Sequence, residues 1–468
     1  MSFTGLSFVY YFLPTALILY IITPDVLKNG VLLLISLFFY AWGEPLCVML
    51  LILSAAINFC GGLCIGKYRK KYIPAVFILL NLLPLVIFKY AAFFCSAFSS
   101  IAGLNIAVPR FPLPVGISFY TFRAISYIAD VWSEKTAVQK NPVSLGLYLA
   151  FFPQLTAGPI NKYKEFAGQL KERIFSEDKF IDGFCRFCCG LAKKLLIADN
   201  IAQIWKSVSA SGEISAPSAW LGAFAYTLQI YYDFSGYSDM AIGLSGMFGF
   251  TSCENFNYPY LAETVSDFWC RWHISLGSWF REYVYIPLGG NRINAENYPT
   301  SKIPRFRAAA RHMFNIFAVW ALTGLWHGAN YTFVVWGLYY AVLLVAEKYC
   351  LKKINIPRFI GTTVTFVLVM FGWVIFASPD LNSAAAYISK MFGFGAAAKD
   401  FSYLYLLYSY RYILPLAIAG IFPLPVKYFR KTAGKNYFSK ILLSVIMLAV
   451  CTAYLMDNTL STFIYFKF

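Results

Sequence analysis

Leu46-Cys47-Val48-Met49-Leu50-Leu51-Ile52-Leu53-Ser54-Ala55-Ala56-Ile57-Asn58-Phe59-Cys60-Gly61-Gly62-Leu63-Cys64-Ile65 carries no charge, and the basic cluster Lys67-Tyr68-Arg69-Lys70-Lys71 follows almost at once. An uncharged stretch of about 20 residues matches the thickness of a bilayer's hydrocarbon core. Comparable apolar runs precede and follow it: Phe8 to Ile22, Val31 to Trp42, Ile73 to Phe98, Val115 to Val131 and Leu145 to Phe152. A second block holds Phe184 to Val208, Trp220 to Tyr232 and Met240 to Phe250. The last third adds Phe314 to Leu325, Tyr331 to Ala346, Ile360 to Phe376, Tyr403 to Phe422 and Leu442 to Leu455. Of 468 residues, 59% are hydrophobic and 13% charged, where a soluble chain carries about a quarter charged. The chain thus reads as an all-α, multi-spanning integral membrane protein with about ten to eleven transmembrane helices. No long polar stretch is left over for a soluble domain, so residues 1–468 are expected to form one membrane domain.

The formal charge is +17, but the excess is dealt out beside apolar runs, at Lys67 to Lys71, Arg305 to Arg311 and Lys427 to Lys435. That is the pattern of cytoplasmic loops under the positive-inside rule, and no basic stripe or binding module points to nucleic acid. With Lys67 to Lys71 inside after three crossings, the N-terminus lies outside. Phe8 to Ile22 lacks a basic region ahead of it and reads as the first membrane helix rather than a leader. Most of the 11 cysteines sit in apolar runs as small hydrophobes. The tight group Cys185, Cys188 and Cys189 has no partner pair at ligand-like spacing, so no metal site is expected.

Two regions break the simple pattern. Pro153 and Ala157-Gly158-Pro159 stop a helix part-way, which suggests a re-entrant segment enclosed by protein. Asn161 to Lys179, with mixed charges, is expected in water at an interface. The Trp-rich section Thr251 to Arg311 holds Asp267-Phe268-Trp269-Cys270-Arg271-Trp272-His273-Ile274-Ser275-Leu276-Gly277-Ser278-Trp279-Phe280-Arg281-Glu282. On a helical wheel Trp269, Trp272, Leu276, Trp279 and Phe280 form one stripe, opposite Asp267, Arg271, Arg281 and Glu282. This predicts an interfacial amphipathic helix.

Histidine is the side chain best suited to move protons near neutral pH, and the chain has 3. His327 ends an apolar run, in Thr323-Gly324-Leu325-Trp326-His327-Gly328-Ala329-Asn330. Gly324, His327 and Gly328 share one helix face, so the imidazole projects into a close helix contact or a narrow cavity, where an ionisable group is costly and usually functional, the plainer alternative being a hydrogen bond between helices. His273 lies at the edge of the aromatic stripe, where structural and functional roles are both open. His312 follows Arg311 and reads as a surface residue. Asp233 and Asp239, in Tyr231-Tyr232-Asp233-Phe234-Ser235-Gly236-Tyr237-Ser238-Asp239, point about 120° apart on a helix, which favours a structural network over a catalytic carboxylate pair. Neither a phosphate-binding glycine loop nor a Gly-x-Ser-x-Gly elbow is present.

Several segments together resemble the membrane-bound O-acyltransferase family, in its alginate O-acetylation branch. They are Leu37-Phe38-Phe39-Tyr40-Ala41-Trp42-Gly43, Pro114 to Phe122, Phe151-Phe152-Pro153-Gln154-Leu155-Thr156-Ala157-Gly158-Pro159-Ile160, Tyr232 to Gly243, Phe268 to Trp279, Tyr285 to Arg292, Gly324 to Ala329 and Phe463 to Phe468. The resemblance implies an all-helical fold with a funnel and a bacterial plasma-membrane location. It makes His327 the active-site histidine and His273 the second histidine of this branch. It also implies no tightly bound cofactor, an acyl thioester donor such as acetyl-CoA on the cytoplasmic side, and outside the cell a polysaccharide acceptor and a secreted esterase-like partner. In that reading His327 accepts the proton of the attacking hydroxyl, Trp326 and Asn330 shape the cavity, and the network around Asp233 and Asp239 holds the helices. Arg271, Arg281 and Arg292 would attract the donor's phosphates, or else lipid headgroups. Cys270, where a basic residue is expected, and Thr323 depart from the pattern. D-alanyl transfer toward teichoic acid is the rival within the family. Transport is the rival outside it, weakened by the lack of an inverted repeat.

Overall fold

The computed structural model describes residues 2–103, 111–173, 175–290, 305–351, 354, 356–398, 400–423 and 437–457, without the side chains of residues 100 and 305–308. Arg292, Lys427 to Lys435 and Phe463 to Phe468 lie outside the described residues. Within them the chain is helical, apart from one isolated antiparallel bridge between Phe256 and Trp272. Among the described residues five helices are long and apolar enough to cross a membrane: Val48–Tyr68, Tyr72–Ser99, Tyr331–Leu351, Arg358–Ala377 and Tyr437–Asp457. Phe8–Ile22 and Lys28–Gly43 are shorter apolar helices.

Two compact units are formed. Among the described residues, the first contains those within Met1–Leu191, Gly236–Glu254 and 440–457, and the second those within Ala192–Ser235 and Asn255–Ser439.

In the first unit, Val48–Tyr68 and Tyr72–Leu85 are joined by a reciprocal amide pair. Asn58 Nδ2 donates to Asn81 Oδ1 at 2.8 Å and Asn81 Nδ2 donates to Asn58 Oδ1 at 2.9 Å. Between apolar helices that gain little by burying one more leucine, such a pair fixes register. The Glu177–Ala192 helix crosses Gly236 and Gly243 through glycines of its own. A methyl group at Gly183 would lie 2.7 Å from the Gly243 carbonyl oxygen, and one at Gly190 2.5 Å from that of Gly236.

The re-entrant region takes the broken form its prolines require. Pro142–Ala150 starts on an Asn141 cap, whose Oδ1 accepts from the amides of Val143 and Ser144. It stops at Phe151, and the single turn Phe152–Leu155 follows. Every residue from Phe151 to Tyr163 is buried, so the irregular backbone is enclosed by protein, as an apolar solvent demands. The expected watery stretch therefore begins later than its composition suggested. Asn161 and Lys162 are buried: the Asn161 carbonyl accepts from Tyr148 Oη and its Oδ1 from the Cys253 amide. The Tyr163–Lys171 helix that follows buries Tyr163, Phe166 and Leu170 on one face.

Two expected runs merge and one divides. Trp220 to Tyr232 and Met240 to Phe250 largely belong to one helix, Ala216–Met247, because a helix satisfies its own backbone and the intervening polar side chains find partners. Conversely, Tyr403 to Phe422 splits into Ser402–Ser409 and Ile413–Gly420. Pro415 has no N–H for the Arg411 carbonyl and its ring would collide there, so the helix restarts just upstream.

In the second unit, Arg305–His327 and Tyr331–Ala346 form an antiparallel pair with only Gly328, Ala329 and Asn330 between them. Asn330 starts the return helix by accepting from the Thr332 amide. A methyl group at Gly324 would lie 2.3 Å from the Phe333 carbonyl oxygen, and one at Gly337 2.2 Å from that of Trp320. The close contact read from the Gly324 face is present, with Gly337 as its unforeseen counterpart.

Gly337→Ala is expected to lower stability by about 1–3 kcal/mol through overpacking. Gly168→Ala, where nothing lies within 4 Å, should be near neutral. Thermal unfolding in detergent separates the two, and an unchanged Gly337→Ala midpoint would refute the close contact. For the amide pair, a double-mutant cycle with Asn58→Ala and Asn81→Ala is expected to give a coupling of about 1 kcal/mol; additive losses would show that the pair contributes nothing.

Candidate active site

His327 is the last residue of Arg305–His327, where the chain leaves the helix for Gly328. Its side chain is buried and ringed by aromatics. The Trp326 ring centroid lies 4.7 Å away, that of Trp336 4.9 Å and that of Phe376 5.1 Å, all nearly edge-on. Phe333 stands further out, at 6.5 Å. Gly328 faces the Phe333 ring, which a methyl group there would strike at 2.3 Å. The two glycines thus let the return helix close over the imidazole. Such a pocket excludes water, and exclusion strengthens every electrostatic interaction made inside it.

His273 occupies a place its sequence did not announce. The expected continuous amphipathic helix is broken there into Val265–Arg271 and Ile274–Phe280, with His273 at φ +44° between them. The first half begins at Thr264, whose hydroxyl accepts from the Asp267 amide at 3.1 Å. The break is held by a neighbouring segment: the Asn257 amide donates to the Arg271 carbonyl and the Ile274 amide to the Asn255 carbonyl, both at 3.0 Å. As a result His273 turns inward. It is 2% exposed, 3.0 Å from Asn255 Oδ1 through Nδ1, and edge-on to Phe234 with centroids 4.6 Å apart. Burial pushes its pKa well below the ordinary histidine value, so the ring is neutral at physiological pH. Neither seven-residue half is long enough to cross a membrane.

Trp326 joins the two histidines. Its ring contacts His327 at 4.7 Å and His273 at 6.0 Å, so the structure brings three of the expected residues together. What this can do chemically is place two buried imidazoles, one of them neutral by burial, against one indole in a desolvated aromatic setting, an arrangement suited to general-base chemistry on a hydroxyl.

The other expected residues take different places. Asn330, besides capping, donates from Nδ2 to the Pro379 carbonyl at 2.8 Å, so its amide anchors the helix turn beside His327. Arg271 pairs with Asp267 at 2.8 Å on its own helix turn, and Arg281 is exposed. Asp233 is buried with Lys194 at 2.6 Å, and Lys194 also meets Asp199 at 2.7 Å. Asp239 belongs to another cluster, in the first unit, where Arg186 binds it at 2.8 Å and also binds Glu254. Each acid is therefore answered by its own cation, as burial requires. Lys194 escaped the sequence reading, although a lysine inside the apolar run Phe184 to Val208 signals a buried acid nearby. Asn255, Trp336 and Phe376 left no local signal. His312 meets Lys348 Nζ and Tyr349 Oη near the surface. Among the described residues no group of three or more His, Cys, Asp or Glu side chains is placed to hold a metal ion.

Comparison with known proteins places the chain in a family. Residues 81–383 match the model of the membrane-bound O-acyltransferase family, a span that includes both histidines and their walls. The chain is 39% identical to a probable alginate O-acetylase of Pseudomonas aeruginosa over 84% of its own length and 75% of the relative's. It is 32% identical to a peptidoglycan O-acetyltransferase of Helicobacter pylori, covering 82% and 79%, and 29% identical to a teichoic acid D-alanyltransferase of Bacillus subtilis, covering 57% and 69%. With two buried histidines joined by a tryptophan on an all-helical, multi-pass scaffold, this chain belongs to the membrane-bound O-acyltransferase family and is an acyltransferase.

Proposed function

We propose that this membrane acyltransferase moves an acetyl group from a cytoplasmic thioester, acetyl-CoA, toward hydroxyl groups of an extracellular polysaccharide. Delivery is either direct or through the serine of a secreted esterase-like partner. The observation that carries the reading is the buried pair His327 and His273 in contact with one indole. The name of the 39% identical relative supports acetyl as the group and polysaccharide as the destination.

In the proposed reaction the acceptor oxygen attacks the thioester carbonyl. A carbon–oxygen bond forms, the carbon–sulfur bond breaks, and the proton passes from the hydroxyl through His327 to the departing thiolate. The aromatic walls keep water from competing as the nucleophile. Trp326, fixed between helix end and imidazoles, shapes the cavity, whereas Asn330 acts through the turn it caps. Exposed Arg281 and half-buried Arg271 are assigned to the phosphates of the donor. The ion clusters of Asp233 and Asp239 hold helices in place. In this reading the enzyme lies in the bacterial plasma membrane, and the basic cluster at the end of Val48–Tyr68 supports an N-terminus outside.

Membranes with matched amounts of wild-type protein or His327→Ala, supplied with acetyl-CoA and the hydroxyl-bearing polysaccharide acceptor, provide the test. Thiol release above background is expected to fall by about 10²-fold or more in the variant, the usual contribution of a general base. Equal rates would remove His327 from the chemistry. Thiol release by the wild type from a D-alanyl carrier-protein thioester and not from acetyl-CoA would replace acetylation by D-alanylation.

A further inference from the structure

Asn255 lies outside every motif singled out in the sequence, yet three donors converge on its side-chain oxygen. His273 Nδ1 is 3.0 Å away, the Ser275 amide 3.2 Å and the Ser275 hydroxyl 2.9 Å. A backbone amide can only donate. The Asn255 atom facing Ser275 is therefore the carbonyl oxygen, which settles the orientation of the amide group by its own hydrogen bonds. A ring nitrogen in contact with that oxygen must bring the proton.

We propose that Asn255 is a positioning residue that fixes the tautomer of His273, holding the proton on Nδ1 and leaving Nε2 as the basic nitrogen. A neutral imidazole carries one N–H, and the hydrogen bond at one nitrogen decides the state of the other. Asn255 fixes the ring's position as well as its proton. Its carbonyl accepts from the Ile274 amide, and its neighbours Phe256 and Asn257 bridge to Trp272 and Arg271. The same segment thus holds His273 in its left-handed backbone conformation, which costs a non-glycine residue energy and persists only where the surroundings enforce it. The Phe234 ring, edge-on at 4.6 Å, also limits rotation of the imidazole. The proposal about the tautomer stands by itself; its consequence for rate rests on the acyl-transfer reading above.

The chain's 3 histidines make the test direct. In a His312→Gln, His327→Gln protein labelled with 15N-histidine, a single imidazole remains. Its nitrogen resonances are expected to show a protonated Nδ1 and an unprotonated Nε2. Adding Asn255→Leu, which keeps the side chain's size and removes the acceptor, should give a tautomer mixture or the Nε2–H form, while Asn255→Asp, which keeps an acceptor, should retain Nδ1–H. A proton on Nε2 in the parent, or a tautomer unmoved by Asn255→Leu, overturns the proposal; the parent spectrum decides even if a variant fails to fold. In protein with all histidines present, Asn255→Leu should lower the turnover of acetyl-CoA by about 10²-fold, with KM unchanged and the rate restored in part by Asn255→Asp. The resonances judge the positioning and the rates judge the acyl-transfer reading, so failure of either is recognised separately.

Discussion

At Gly324 and Gly337 the backbones of two antiparallel helices meet with no room for a side chain. The part of the His327 pocket built by the return helix follows from that approach. It draws Phe333 and Trp336 of the return helix up to the imidazole, and it forces a turn of only Gly328, Ala329 and Asn330. Asn330 can complete that turn because one side chain both caps the return helix and ties the turn to Pro379. The imidazole at the helix end is then flanked by Phe333 and Trp336 of the return helix, with Trp326 and Phe376 completing the ring of aromatics. Between helices in lipid, where burying more hydrocarbon gains little, close backbone packing of this kind supplies much of the cohesion.

The same solvent explains the treatment of charge. An unpaired ion at membrane depth is expensive; buried Asp233 is matched to Lys194 and half-buried Asp239 to Arg186, each cation from a neighbouring element. Replacing one member of such a buried pair leaves an uncompensated charge and typically costs about 3–5 kcal/mol. These clusters hold helix positions. Asp233 is one residue from Phe234, the ring against His273, so the ion cluster and the candidate catalytic centre share a helix turn.

Much of this was legible in the residues. Uncharged runs and basic flanks told of a multi-pass helical protein, the prolines around Phe151 foretold a broken and buried segment, and Gly324 with His327 pointed to a close helix contact. What stayed hidden depended on partners distant in the chain. The stripe Trp269, Trp272, Leu276, Trp279 is continuous at helical spacing, so nothing local reveals that the helix breaks at His273. The break is imposed by Asn255, 18 residues earlier. Likewise, the polar centre of Ala216–Met247 resembles a loop until Lys194 and Arg186 are seen to neutralise its acids.

The central claim is that His327 carries acyl transfer to the outside of the cell. The most direct measurement is the O-acetyl ester content of extracellular polysaccharide from cells with wild-type protein or His327→Ala at equal membrane levels. The account predicts ester with the wild type and its loss in the variant. Ester at wild-type levels in His327→Ala cells would contradict it.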